Sequence, residues 1–184
     1  MIHAPYVRHI LATDVSAQMI EIAKAKQIVL QQQAKEETPT ASKSMDLSNV
    51  DFRQASIEEL DRTGMVGPAS KDVVMAHSIL HLVDNRDETI RTLTKWLKPG
   101  GYLVTSTICP GDMSWMVQGI FRTVLPIGHA LGLLPKVNAL TRRDLVQSMK
   151  NAGLDIVYEW QPSLLNNDKQ PDTSKAVFLI GKKK

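Results

Sequence analysis

The chain has 184 residues, of which 43% are hydrophobic and 22% are charged, with a net charge of +3. This composition is typical of one soluble folded domain and excludes a disordered chain. Three of the positive charges are the terminal lysines Lys182–Lys184, so the charge gives no support to nucleic-acid binding.

The single cysteine, Cys109, excludes an internal disulfide framework and a multi-cysteine metal site. We therefore expect no metal, and a cytoplasmic location fits a chain without disulfides. The N-terminus lacks the continuous apolar run of a signal peptide. The most apolar region, residues 113–134, is interrupted by Arg122, Pro126 and His129. It is better interpreted as a lid or a buried helix than as a membrane span.

The first third of the chain predicts a strand near residues 9–14, followed by a helix with Ser16 as its N-cap. Five apolar residues of this helix fall near one face at helical spacing: Met19, Ile22, Ala23, Val29 and Leu30. From Gln31 to Asn49 the chain becomes polar and unpatterned, which predicts a long exposed loop at 31–49.

The middle of the chain predicts strands near residues 50–54 and 72–76, with a helical turn after the first. The second strand should be buried, because apolar residues are contiguous in KDVVMA. A helix is predicted from Asp87 to Leu97. The residues Pro99, Gly100 and Gly101 should stop it, and a strand near 102–108 should follow at once.

The last third predicts one helix and two successive strands. Thr141 is a candidate N-cap with Asp144 in the first turn, and Gly153 closes the helix. Strands are expected near residues 154–160 and 175–181. Alternating strands and helices that end in two strands indicate an α/β fold with a largely parallel sheet and an antiparallel C-terminal hairpin. We predict one domain over residues 1–184.

The order of these elements resembles that of the class I S-adenosylmethionine-dependent methyltransferases. The resemblance is carried by ATDVSAQMIEIAKAK, VDFRQASIEEL, KDVVMAHSILHLVDN and WLKPGGYLVTST, and by the closing NAGLDIVYEW and KAVFLIGKKK. It extends over nearly the whole chain from Ile10 onward. It implies a Rossmann-like methyltransferase fold, S-adenosylmethionine as cofactor, and methyl transfer to a small-molecule acceptor.

By this resemblance, Asp14 would accept hydrogen bonds from the two ribose hydroxyls of the cofactor, as an acceptor-only carboxylate can. The alternative is that Asp14 only caps the following helix. Ser56 and Ile57 would lie against the adenine. Where Ser56 stands, the family commonly has an aspartate, and serine accepts a hydrogen bond without charge assistance. Ser56 is equally well placed as an N-cap, and both functions are compatible.

Two further positions follow from the same resemblance. Ala76 and His77 would lie beside the methionine part of the cofactor. The alternative for His77 is a structural role, because a histidine at a strand end often only packs against its neighbours and forms hydrogen bonds with them. His81 is interpreted as supporting its loop rather than as a base. No catalytic residue is assigned, because the sulfonium is already an activated methyl donor and positioning supplies much of the acceleration.

The apolar segment at 113–140 stands where these enzymes build a substrate-covering element. Its methionine and aromatic side chains suit a small, nonpolar acceptor. The alternative is a pair of core-packing helices. The sequence does not indicate the identity of the acceptor or the oligomeric state.

The glycine-rich E-x-G-x-G-x-G loop of the family is not found in the 184 residues, and neither is the first strand before it. We therefore interpret the chain as a partial, N-terminally truncated domain, in which cofactor binding is weakened. A truncated or incomplete gene model and a genuine degenerate form both explain this. Two rival functions stay open, a nicotinamide-dependent dehydrogenase and a non-catalytic methyltransferase-like protein that binds a partner through its unpaired strand edges.

Overall fold

The structure is a computed structural model that describes residues 3–36, 47–109, 140–160 and 176–184, with residues 119 and 127 in addition. The chain divides into two compact units, Met1–Met65 (unit one) and Val66–Lys184 (unit two). Most of the predicted covering segment at 113–140 lies outside the described residues. In the described part of the chain, no helix is both long and apolar enough to cross a membrane.

Unit one contains a two-stranded parallel sheet and two helices. Strand β1 (Ile10–Asp14) is followed by helix α1 (Ala17–Glu36), and strand β2 (Val50–Gln54) is followed by helix α2 (Ile57–Arg62). The strands pair from Ile10 opposite Val50 to Asp14 opposite Gln54, so their carboxyl ends lie side by side. The strands predicted near 9–14 and 50–54 are confirmed.

The core of unit one is small and is closed by side-chain amides. Ala4, Leu47 and Val50 are buried in it. Gln27 on α1 donates its side-chain amide to the carbonyl oxygens of Leu47 and Val50, at 2.6 and 3.2 Å. Buried carbonyl groups need such partners, and these two bonds attach α1 to the start of β2.

The loop predicted at 31–49 is wrong at both of its ends. Helix α1 continues to Glu36, because the segment QQQAKE consists of good helix formers. At the other end, Leu47 is completely buried rather than exposed. Residues 37–46 between them lie outside the described part.

The apolar face predicted for α1 is wrong for three of its five residues. Ile20 is buried, but Met19 and Ile22 are 51% and 41% exposed, and Val29 is 50% exposed. The inward face instead uses Ile20, Ala23, Gln27 and Leu30. The polar Gln27 occupies an inward position because of its two bonds to carbonyl oxygens, and apolar spacing alone does not indicate this.

Unit two contains a four-stranded sheet and two described helices. Its elements are strand β3 (Lys71–His77), helix α3 (Arg86–Trp96), strand β4 (Leu97–Ile108), helix α4 (Arg142–Asn151), strand β5 (Leu154–Trp160) and strand β6 (Ala176–Lys183). The strand order is β3-β4-β6-β5. β3 and β4 are parallel, and β6 is antiparallel to β4 and to β5. The predicted α/β fold with an antiparallel C-terminal hairpin is confirmed.

The two faces of this sheet differ in burial. On one face, Ala76, Leu103 and Leu179 are buried. On the other, Val73 and Met75 are 49% and 43% exposed. The prediction that β3 is buried on both faces is therefore wrong for unit two as described. β3 is the edge strand there, and its side chains alternate between a covered and an open face.

Helix ends and turns in unit two follow the local sequence. Thr141 and Asp144 form a capping box at the start of α4, as predicted. Gly153 after this helix has φ +85°, a conformation that favours glycine. Strand β4 begins at Leu97, five residues before its predicted start, so Pro99, Gly100 and Gly101 lie within the strand rather than in a turn before it. A Cβ on Gly101 would lie 2.9 Å from the carbonyl oxygens of Asp72 and Lys98, so this position requires glycine. Helix α3 begins one residue earlier and ends one residue earlier than predicted.

Candidate functional site

Asp14 lies at the carboxyl end of β1, where ligand sites form in open α/β sheets. Its Oδ1 accepts the backbone N–H of Ser16 at 2.8 Å, and the Ser16 hydroxyl accepts the N–H of Met19 at 3.3 Å. Asp14 therefore takes part in capping α1, as the alternative interpretation expects. Because a carboxylate has two oxygens and about four acceptor sites, this bond is compatible with a ligand hydroxyl on the same side chain.

Ser56 lies at the start of α2, beside the end of β2. Its hydroxyl oxygen accepts the backbone N–H of Glu59 at 3.1 Å, which confirms the predicted N-cap. Ile57 follows in the first turn and is half-buried. The cap uses one of the two lone pairs of the Ser56 hydroxyl, so this bond is compatible with a ligand donor on the same oxygen.

A cleft of about 380 Å³ lies in unit one after the two strands. It is lined by Val15, Gln54, Ala55, Ser56 and Glu59. Two bonds hold its walls together. The Gln54 side-chain amide donates to the carbonyl oxygen of Val15 at 3.1 Å, and the Ala55 N–H donates to that of Asp14 at 3.1 Å. The structure thus brings Asp14 and Ser56 to the same end of one sheet.

Glu59 is a cleft residue that the sequence analysis did not single out. It is exposed, sits one turn into α2, and lines the cleft together with Ser56. The available signal was an acidic residue three positions after an N-cap, a pattern that is also typical of a capping box. Because a capping box already accounts for an acidic residue at this position, the pattern does not indicate a ligand contact.

Ala76 and His77 belong to unit two and end strand β3. Ala76 is buried on the covered face of the sheet, whereas His77 is exposed. The His77 ring lies near that of Phe178, with centroids 5.9 Å apart and planes tilted by 47°. It stays a prediction that one cleft contains all five predicted cofactor residues: Asp14, Ser56, Ile57, Ala76 and His77.

The segment after His77 is held in an unusual conformation. Ser78 has φ +51°, which a residue with a Cβ rarely adopts, and its N–H donates to the carbonyl oxygen of Ser106 at 2.6 Å. His81 Nδ1 lies 2.9 Å from the hydroxyl oxygen of Thr107 on β4. Burial lowers the pKa of His81, which favours the neutral ring. These contacts are those expected of a histidine that supports its loop.

A second cavity, of about 240 Å³, lies entirely in unit two. We call it the Arg86 cavity, and it is lined by Leu80, Asp84, Asn85, Arg86, Asp87 and Leu140. Asp87 Oδ1 accepts bonds from the Ser148 hydroxyl at 2.6 Å and from Arg86 Nε at 3.0 Å. The Ser148 bond is the largest cause that lowers the pKa of Asp87, and Arg86 adds to it.

The chain matches the family described as "Methyltransferase domain" over residues 6–146 and belongs to that family. The class of enzyme and its cofactor, S-adenosylmethionine, are those predicted from the sequence. The chain is therefore a methyltransferase domain rather than a dehydrogenase.

Known relatives agree with this assignment. The malonyl-[acyl-carrier protein] O-methyltransferase of Halalkalibacterium halodurans is 34% identical over 101 residues, which are 54% of this chain and 30% of that protein. The ubiquinone biosynthesis O-methyltransferase of Marinobacter nauticus is 30% identical over 112 residues, which are 58% of this chain and 44% of that protein. This chain thus matches less than half the length of either relative.

A solved structure shows the same fold. The S-adenosylmethionine-dependent methyltransferase of Mesorhizobium loti superposes with a TM-score of 0.63 at 18% identity, over 96% of this chain and 81% of that one. At this identity the likeness concerns the fold alone.

Proposed function

We propose that this chain binds S-adenosylmethionine and transfers its methyl group to a small-molecule acceptor. The observation that carries the proposal is the cleft of unit one, which has Asp14 and Ser56 at its end of the sheet and Glu59 in its wall. When bound, the cofactor supplies an activated methyl group on sulfur. An acceptor with a lone pair would take this methyl group and would release its proton, where it carries one, to solvent.

The residues that line the cleft, together with Asp14 and Ile57 beside it in sequence, fit a nucleoside. Asp14 would hold the two ribose hydroxyls with the acceptor capacity left beside its bond to Ser16. Ile57 would supply apolar contact to the adenine. Both Ser56 and Glu59 line the cleft and could accept the adenine amino group, and we assign it to Glu59. A charged acceptor makes the stronger hydrogen bond of the two.

The methionine end of the cofactor would be held more weakly in this chain. The sequence lacks the glycine loop whose backbone amides approach this end in the family. Losing two hydrogen bonds of about 1.5–3 kcal/mol each would lower affinity on the order of a hundredfold or more. We therefore expect S-adenosylmethionine and adenosine to bind this chain with affinities within a few-fold of each other. Much tighter binding of S-adenosylmethionine would mean that other residues, with Ala76 and His77 as the first candidates, hold the methionine end.

The experiment that tests the proposal is calorimetric titration of Asp14→Asn. Asparagine keeps an oxygen that can accept the Ser16 N–H, so the cap of α1 is preserved, but it loses the charge and the second acceptor oxygen. Binding of S-adenosylmethionine should weaken about tenfold. Glu21→Gln, an exposed carboxylate on α1, is the matched control and should not change it. Unchanged binding by Asp14→Asn would leave Asp14 as a cap only.

A non-catalytic binding protein is the second candidate. Among the described strands, β1 pairs only with β2, and β3 pairs only with β4. An open strand edge can accept a strand from another chain. Transfer of a labelled methyl group to a panel of small acceptors separates the two functions, because the binding protein would show none. A cytoplasmic location and an apolar acceptor stay predictions.

A further inference from the structure

We propose that the amino end of the sheet in unit two is an electrostatic docking surface for an anionic lipid membrane. This end is formed by the starts of β3, β4 and β5, the last turns of α3 and α4, and the end of β6. We call it the lysine end, because it carries seven lysines: Lys71, Lys95, Lys98, Lys150, Lys182, Lys183 and Lys184. It lies opposite to the carboxyl ends of β3 and β4, so docking would leave those ends accessible from solution.

The three terminal lysines are part of the folded surface of unit two. Lys183 Nζ donates to the carbonyl oxygens of Thr94 and Leu97, at 2.9 and 2.8 Å, which fixes the end of β6 against the end of α3. Lys182 and Lys184 on either side of it are exposed. The fold thus brings these lysines to the same end of the sheet as four others that are distant in sequence, and apparent tail charges become one fixed basic surface.

The lysine end has a net positive charge after its acidic groups are counted. Those groups are Asp72, Asp155 and the C-terminal carboxylate, so seven lysines leave a net charge of +4. Asp72 and Asp155 bond to Lys98 and Lys184, at 2.8 and 3.3 Å, but all four side chains are at least 43% exposed. Exposed pairs of this kind contribute little, so Lys98 and Lys184 stay available to a partner. Four adjacent strands span roughly 15–20 Å, about two Debye lengths, so the lysines act together on an extended anionic surface.

The residue types at this end favour a membrane over an acidic protein. Protein interfaces are enriched in arginine and depleted in lysine, whereas the cations of this end are all lysines. Anionic bilayers attract clusters of about four to eight basic side chains. Tyr102 and Val73, which are opposite each other on β4 and β3, are 38% and 49% exposed. The Lys182 ammonium lies 5.9 Å from the centroid of the Tyr102 ring. A tyrosine beside lysines suits the headgroup level of a bilayer, where its ring and its hydroxyl are both accommodated.

The test is co-sedimentation of the 184-residue chain with lipid vesicles. We expect binding to vesicles of phosphatidylcholine mixed with anionic phosphatidylglycerol, and none to phosphatidylcholine alone, with binding that weakens as salt is added. Lys150→Gln combined with Lys182→Gln should weaken binding about 25-fold, since each lysine near an anionic surface contributes about fivefold. The matched control, Lys24→Gln combined with Lys26→Gln, removes the same charge from two exposed lysines of α1 and should leave binding unchanged.

Asp72→Asn removes a negative charge from the lysine end and should strengthen vesicle binding about fivefold. A folding defect cannot produce this gain, so Asp72→Asn and the two lipid mixtures decide the question even if the lysine variant does not fold. Equal binding to both kinds of vesicle, or equal weakening by the α1 control, would overturn the proposal. Tighter binding to poly-glutamate or to a DNA duplex than to the anionic vesicles would overturn it as well, in favour of an acidic protein or a nucleic acid. None of these measurements depends on the cofactor cleft of unit one.

Discussion

Unit one and unit two differ in the size of their sheets and of their cores. Unit one has two strands of five residues each and a core built around three buried side chains. Unit two has four strands, and fully buried leucines on β4, β5 and β6 together with two helices. A two-stranded sheet is marginal on its own, whereas three or more strands with a packed face are stable. The proposed cofactor cleft is thus built on the less stable region, where local opening is expected.

The largest expected effect is a loss of stability in unit two, the more stable unit. Leu179 on β6 is completely buried, and Leu179→Ala should lower the free energy of unfolding by about 2–5 kcal/mol. All three tryptophans, at positions 96, 115 and 160, belong to unit two, so urea unfolding followed by tryptophan fluorescence reports on that unit.

Leu47→Ala is the matched variant in unit one, since Leu47 is equally buried. It should increase amide exchange in β1 and β2 and shift the fluorescence transition much less than Leu179→Ala. Equal shifts of the fluorescence transition would show that the two units unfold as one cooperative block, and the comparison would fail.

A second prediction concerns the cleft of unit one. Glu59→Gln should weaken adenosine binding about tenfold, because the adenine amino group loses a charged acceptor. Binding of purine riboside, which lacks that amino group, should be the same for both forms. Glu58→Gln, the adjacent exposed carboxylate on α2, is the control and should affect neither ligand. Equal weakening of both nucleosides would mean that Glu59 shapes the cleft without contacting the amino group.

Sequence patterns predicted the strands well and the faces of the elements less well. All six strands overlap their predicted ranges, since their apolar runs and bounding turns are local signals, although β4 begins five residues early, at Leu97. The sequence does not predict the exposure of Met75 and Met19. Whether a face of a helix or strand is buried depends on which other elements pack against it, and neither the spacing of apolar residues nor the composition shows this. For the same reason the sequence indicated Asp14 and Ser56 through family resemblance, but not Glu59 or the Arg86 cavity. Those features arise only when α2 and α3 are placed beside their strands.

A third prediction concerns the stability of unit two. Thr105 on β4 is completely buried, and among the described residues its hydroxyl has no hydrogen-bond partner. Replacing it with valine removes an unsatisfied polar group at nearly constant shape. Thr105→Val should therefore raise the free energy of unfolding by about 1 kcal/mol, measured by the same fluorescence transition. Thr107→Val, which removes the partner of His81, should lower it instead. A destabilised Thr105→Val protein would indicate that the hydroxyl has a partner in solution.

The smallest expected effect is a pH dependence that belongs to unit two. Burial lowers the pKa of His81 from its ordinary value of 6.5, so the native state keeps the ring neutral where the unfolded chain is protonated. The unfolded state then binds more protons, and stability must fall as the pH falls through 6.5 toward the lower native pKa. His81→Asn cannot titrate and should lose this part of the pH dependence, so the stability difference between the two proteins should shrink on acidification. The exposed His9→Asn in unit one is the control, and its fluorescence transition should follow that of the unchanged chain at every pH. If the stability difference between the unchanged chain and His81→Asn were constant between neutral and mildly acidic pH, burial would not be holding His81 neutral in the native state.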